Sequence, residues 1–395
     1  TDILRAINRN RYGLFLDMGL GKAYIAAAII AHLRYYGLAD KVLLISSNIG
    51  AANMVGEIKK FIVDLDPNEI VCLNKLTRVK KEDRFVFKPE TRIVITNYGT
   101  FRHISDHYAK EVAKKKTKKY RKAPIPIEEW LGGKPGILLL DESHALGNPS
   151  SLQTQKLAMH VPFFEYRYEF TGTPADKPEK LYSQLRILDN SLVHDLPYRD
   201  WLAEYNEVGN YWSSYAINPN GWKHDKLQAL NERVTKDYAV YRKSEDCLDL
   251  PPNIIKKLYV NLDPIHKQIY QAFVKESLDE IKERTGRLGT RDIVNAFPYM
   301  QMALDNPSLL LTHTDIMSEK LSRVVDGFDF EKDQSKVDLL LDVLEERVDE
   351  GKERGIVWVY HPDTALKLMK ILEKYNPLYI VGEIADEERM PIIEQ

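Results

Sequence analysis

The stretch from Leu16 to Ile30, LDMGLGKAYIAAAII, carries a Gly-x-Gly-Lys core between a strand-like apolar run, YGLFL (Tyr12 to Leu16), and an alanine-rich helix-forming run. Strand, glycine loop and helix, in that order, form the context in which such a core cradles phosphate through backbone N–H groups and one lysine. Gly19 and Gly21 would let the main chain approach the oxygens, Lys22 would neutralise the β and γ phosphates, and Met18, Leu20 and Ala23 complete the loop. Ala23 stands where these loops place the Ser or Thr that holds Mg²⁺. A glycine turn before a core helix is the plain alternative, and both flanks argue against it.

Outward from this loop, KVLLISS (Lys41 to Ser47), RIVITN (Arg92 to Asn97), GILLLDES (Gly136 to Ser143) and RYEFTGT (Arg167 to Thr173) are short, β-rich and apolar on both faces. They read as parallel strands buried between helices. GIVWVYH (Gly355 to His361) and PLYIVG (Pro377 to Gly382) repeat that character around a helical PDTALKLMKILEKY, which predicts a second β-α-β unit. The region between, about Leu185 to Leu321, has helical periodicity.

LLLDESH, Leu138 to His144, ends an apolar strand on two carboxylates, the place where an α/β sheet presents reactive groups. Asp141 is read as the metal-binding carboxylate and Glu142 as the group that polarises water. Acidic residues after a strand also cap helices, so the pair gains weight from the upstream loop. FTGTP, Phe170 to Pro174, ends another strand, and Thr171 and Thr173 there could link the site to another surface. Taken singly it is an ordinary turn.

Composition bounds the rest. The chain has 395 residues, 44% apolar and 29% charged, with 56 basic against 58 acidic residues and a formal charge of −2. That balance suits two or three soluble domains and gives no global attraction to nucleic acid or membrane. No run approaches the ~20 apolar residues of a membrane span and no secretory signal is seen, so an intracellular protein is expected, cytoplasmic if bacterial or viral. Cys72 and Cys247 lie far apart without zinc-ligand spacing and read as buried thiols. One segment breaks the neutral pattern: KEVAKKKTKKYRK, Lys110 to Lys122, has eight basic residues in thirteen. Its Lys115, Lys116, Lys118 and Lys119 are candidate phosphate contacts, weighed against a merely solvated loop.

DMGLGK, DESH and TGTP, in this order, resemble motifs I, II and III of helicase superfamily 2. YRKSEDCLDLPPNIIKKLYVNLDPIHKQIYQAF and SKVDLLLDVLEE resemble its sucrose-nonfermenting-type (SNF-type) branch of duplex-DNA translocases, as does ALDNPSLL with Asn306 in place of the usual His. The resemblance implies an α/β fold of two RecA-like P-loop lobes with parallel sheets, each carrying a helical insertion. The expected lobes are 1–250, with an insertion near 185–240, and 251–395, with an insertion near 264–315 and an incomplete C-terminal end. It further implies ATP and Mg²⁺ as cofactors, phosphates on Met18 to Ala23, and catalysis by Lys22, Asp141 and Glu142, with Asp141 at the metal. His144, Thr171 and Thr173 would couple hydrolysis to DNA. Ser47, Asn48, Thr96, Asn97, Tyr98, His361 and Thr364 fall on its DNA-contacting motifs, with largely sequence-independent contacts to the backbone of duplex or branched DNA. A monomeric DNA motor acting on forks or recombination branches is the expected function. A non-hydrolysing ATP-binding clamp or scaffold of the same fold is the alternative, raised by Ala23 and by arginines that would lie beyond Gln395. An RNA-directed helicase fits the Arg-Lys and Leu-Pro segments poorly.

Overall fold

The structure is a computed structural model that describes residues 2–62, 65–73, 90–103, 126–207, 217–285, 290–384, 389 and 391–392. The chain divides into two compact units, Thr1–Pro252 and Asn253–Gln395.

The first unit is organised by seven strands: β1 (Arg11–Leu16), β2 (Lys41–Ser46), β3 (Ile70–Cys72), β4 (Ile93–Asn97), β5 (Gly136–Asp141), β6 (Phe164–Thr171) and β7 (Ala239–Arg242). They form one sheet in the order β3-β4-β2-β5-β6-β1-β7, and every pairing is parallel. A parallel sheet must be covered on both faces, which is why the middles of β2, β4 and β5 are continuous apolar runs. The pleat then sends alternate residues to opposite sides. Val42, Leu44, Ile93, Ile95, Ile137 and Leu139 join one core with Ala6 of helix α1 (Asp2–Ile7), Ile25, Ile29 and Leu33 of helix α2 (Lys22–Tyr35) and Ala51, Met54 and Ile58 of helix α3 (Asn48–Phe61). Their neighbours Leu43, Ile45, Val94, Leu138 and Leu140 join a second core with Trp130, Leu157 and Ile187. A third core gathers Phe15 and Ala239 with Tyr182, Leu185, Trp201, Tyr205, Leu230 and Val234 from the helices Leu181–Leu188, Tyr198–Tyr205 and His224–Arg233 and the turns beside them.

Two strands differ from the sequence reading. β3 was unread, and β7 falls inside the region assigned helical periodicity; three and four residues are too few for an alternating pattern to register. Cys247 is exposed rather than buried, because it ends a four-residue helical turn after the sheet edge, while Cys72 is half-buried in β3.

In the second unit, helices Pro264–Thr285, Thr290–Asp305, Glu319–Asp326, Ser335–Leu344 and Pro362–Ile371 pack around Ile269, Phe273, Ala303, Leu310, Leu321 and Val325. Asn306 caps the turn after Thr290–Asp305, its Oδ1 accepting from the Ser308 amide and hydroxyl at 3.2 and 2.6 Å. The segments 355–361 and 377–382, read as strands, enter no ladder among the described residues. Ile356, Trp358 and Tyr360 are 81%, 89% and 72% exposed, so these runs have neither the covering helices nor the paired edges that hold an apolar strand. Among the described residues no helix is long and apolar enough to cross a membrane.

Candidate nucleotide site

Parallel sheets gather their reactive groups at the carboxyl ends of the strands, and here those of β1, β5 and β6 are neighbours. Phe15 of β1 pairs in register with Thr171 of β6, and Asp141 of β5 with Phe170. The loops that follow therefore leave the sheet side by side.

β1 hands over to the loop Asp17 to Gly21, and α2 starts at Lys22. Gly19 and Gly21 have φ of +81° and +74°, the left-handed region that costs a residue with a Cβ about 1–2 kcal/mol. The loop is fastened from its far side. The Asp17 amide donates to the Arg242 carbonyl at 3.1 Å and its carboxylate accepts from the Ser244 amide at 3.0 Å, while the Ser244 hydroxyl donates to the Met18 carbonyl at 2.9 Å. Met18, Gly19 and Gly21 are exposed, as a phosphate cradle requires, and Leu20 and Ala23 pack partly against the sheet core.

Lys22 Nζ lies 3.5 Å from Glu142 Oε1 and donates to the Leu16 carbonyl at 3.3 Å. The other carboxylate oxygen of Glu142 lies 3.2 Å from His144 Nδ1 and 3.5 Å from the Thr171 hydroxyl, and those two partners are 3.0 Å apart. Thr171 Oγ1 also accepts from the Thr173 amide at 3.2 Å, which folds the Thr-Gly-Thr turn back over the site. Glu142 sits at φ +50°, ψ +48°, an uncommon conformation for a residue with a Cβ and one found at functional turns. Five of the residues singled out in the sequence, Lys22, Glu142, His144, Thr171 and Thr173, thus form one hydrogen-bonded chain.

Asp141 is buried, with Oδ2 accepting from the Ser46 hydroxyl at 2.6 Å, and its carbonyl accepts from the Tyr98 hydroxyl at 2.9 Å. Burial pushes its carboxyl up, opposed by the Ser46 hydrogen bond and by the charge of Lys22. Its hard carboxylate oxygens fit Mg²⁺ carried by a nucleotide, an ion held through one or two carboxylates together with phosphates and water. Ala23 adds no oxygen to that set.

The DNA-assigned residues divide by exposure. Ser47 and Asn48 are exposed at the start of α3, and Ser47 caps it by accepting from the Gly50 amide at 3.1 Å. Asn97 is half-buried, with Oδ1 accepting from the Thr100 amide at 2.6 Å. Thr96, Tyr98 and Thr364, placed by the resemblance on DNA-contacting motifs, are buried. Thr96 is buried in β4, the Tyr98 hydroxyl serves Asp141, and the Thr364 hydroxyl donates to Asp305 at 2.8 Å. His361 precedes that helix with Nε2 buried. Lys115, Lys116, Lys118 and Lys119 lie outside the described residues.

Sequence reading missed a buried network beneath the site. Ser143, next to Glu142, donates through its hydroxyl to Gln184 Oε1 at 3.3 Å, and Gln184 Nε2 donates to the carbonyls of Pro174 and Lys180. The Glu169 carboxyl of β6 meets Ser143 in the same interior, and burial drives it far above the carboxylate range. A glutamine amid apolar residues of one helix carries no sequence signal until the helix is placed.

The profile of the SNF2-related domain matches residues 4–309. A protein described as DNA repair and recombination protein RAD54-like, from Danio rerio, is 23% identical over 335 residues, 81% of this chain and 41% of that protein. A putative ATP-dependent helicase/translocase, YwqA of Bacillus subtilis, is 19% identical over 386 residues, 96% of this chain and 36% of that protein. The chain therefore spans well under half the length of these curated relatives. Among solved structures, the SWI2/SNF2 ATPase core of Sulfolobus solfataricus in complex with dsDNA aligns with all of this chain and 73% of its own, at 18% identity and a TM-score of 0.44.

Proposed function

The chain belongs to the SNF2-related domain family, and on that premise we propose that it is an ATP-driven motor that hydrolyses ATP to move along duplex DNA, in particular at forks or recombination branches. The observation that carries this reading is the chain of contacts from Lys22 through Glu142 to His144 and Thr171, assembled at adjacent strand ends beside a left-handed glycine loop.

The loop amides and Lys22 bind and orient the triphosphate. Lys22 rests against Glu142 in this structure, and a phosphate arriving on the loop competes for the same ammonium. Glu142 is then left facing His144 and Thr171, where it orients a water and takes its proton as the water oxygen bonds to the γ-phosphorus and the bond from that phosphorus to ADP breaks, releasing ADP and phosphate. Asp141 is the residue that would hold Mg²⁺, which when bound supplies charge neutralisation at the β and γ phosphates. His144 and the Thr171–Thr173 turn pass the state of Glu142 outward, and the exposed Ser47 and Asn48 meet phosphates of the DNA backbone.

Steady-state ATP hydrolysis with no DNA, with linear duplex and with forked duplex tests the proposal. Stimulation by duplex, larger with forked DNA, is the expected result. Nucleotide and DNA binding without turnover, in this chain and in Ala23→Thr alike, would replace the motor by a clamp.

A further inference from the structure

Ala23 leaves the nucleotide loop without the hydroxyl that normally stands beside the metal-binding carboxylate. In this chain a different hydroxyl is bonded to that carboxylate. Ser46, the last residue of β2, is fully buried, and its Oγ donates to Asp141 Oδ2 at 2.6 Å, the length of a charge-assisted O–H···O bond. The sheet sets up the meeting: β2 and β5 are neighbours, with Ile45 opposite Leu140, so the next residues of the two strands, Ser46 and Asp141, stand side by side just past the end of that ladder.

A second, independent observation says that the space around this bond is kept for it. A Cβ on Gly50, in the first turn of α3, would stand 2.2 Å from Ser46 Oγ, 2.9 Å from Ser47 Oγ and 3.3 Å from Asp141 Oδ2. Any side chain there would drive the hydroxyl off the carboxylate. The helix thus closes over the Ser46–Asp141 pair, and the same first turn carries Ser47 and Asn48, the exposed residues assigned to DNA.

We propose that Ser46 is a positioning residue that holds the Asp141 carboxylate for the metal of a bound nucleotide and, through its bond to the next two residues of the chain, ties that carboxylate to the loop that meets DNA. A shift of the α3 start on a DNA backbone would then move the hydroxyl, and the carboxylate with it. This inference rests on the motor reading above.

The test uses the full chain with Ser46→Ala and Ser46→Cys. The first deletes the hydroxyl; the second keeps side-chain bulk but offers only a weak thiol donor, and guards against a cavity effect. ADP binding is titrated with Mg²⁺ by calorimetry, ADP binding in EDTA is the reference, and the ratio of hydrolysis with and without duplex is read separately. Expected in both variants are a roughly tenfold rise in the Mg²⁺ concentration for half-maximal tightening of ADP, EDTA affinity within twofold, and a several-fold fall in the stimulation ratio. Variants that keep the wild-type melting temperature together with an unchanged Mg²⁺ requirement, or an unchanged stimulation ratio, overturn the proposal. A wild-type chain that shows no nucleotide binding or no stimulation instead defeats the motor reading itself, so the two failures are told apart.

Discussion

Leu138 and Trp358 belong to runs that look alike as sequence, GILLLD and GIVWVY, yet Leu138 is wholly buried in β5 and Trp358 is 89% exposed on an unpaired segment. The difference lies in neighbours. β5 is flanked by β2 and β6 and roofed by two cores, so each of its residues has somewhere to go. Residues 355–361 have no ladder partner among the described residues. An apolar β-prone run is a statement about what surroundings it needs, and a strand exists only where those surroundings are supplied.

The contrast is sharpest where chemistry depends on it. Strand ends in the first unit bring Glu142 within 3.5 Å of Lys22 and 3.2 Å of His144, so Glu142→Gln should lower DNA-stimulated hydrolysis by about 10²- to 10⁴-fold while leaving nucleotide binding near wild type, measured by turnover against calorimetry. On stability, Leu139→Ala opens a cavity in a fully walled core and should cost about 2–5 kcal/mol in denaturant unfolding of the first unit.

Two buried titratable groups in that unit give the comparison a pH axis. Burial pushes His160 down to about 4 from 6.5, so the unfolded chain takes up a proton that the folded one refuses, and stability is lost as pH falls from 6.5 towards 4. At most roughly 3 kcal/mol is involved, and His160→Leu should flatten the acid limb. Glu169 works with the opposite sign. Its raised folded pKa means that the unfolded chain releases its proton first, so its cost is absent below the unfolded pKa of about 4.5 and grows as pH rises. Glu169→Gln should flatten the alkaline limb, as chemical denaturation across pH would show. The smallest effect belongs to the exposed run: Trp358→Ala should change stability by no more than about 0.5 kcal/mol, and a cost of 3 kcal/mol would show that this segment is packed in solution.

How much could be read beforehand follows the same logic. β1, β2, β4 and β5 were legible because each is long enough to carry an apolar run, β6 through its aromatic Tyr166, Tyr168 and Phe170, and the Gly-x-Gly-Lys, Asp-Glu and Thr-Gly-Thr groups because fixed spacing marks them. Ser46, Gln184 and Ser244 were not. Each has a partner distant in sequence, 95 residues away for Ser46, 41 for Gln184 and 226 for Ser244, and such long-range contacts leave no local pattern. Tyr98, placed by the resemblance on a DNA-contacting motif, likewise has a partner 43 residues away, the Asp141 carbonyl that accepts from its hydroxyl.

The sheet order also sets a timetable for the newborn chain. β1 is made first but stands between β6 and β7, with Gly13 opposite both Glu169 and Ala239. At 5–20 residues per second a ribosome needs roughly ten to fifty seconds to supply that last neighbour, and during this interval the apolar β1 and its glycine loop have no seat. The loop proposed to cradle phosphate is thus seated only once β7 has been made, and a ribosome that stalls before Arg242 releases a chain with β1 open on one edge.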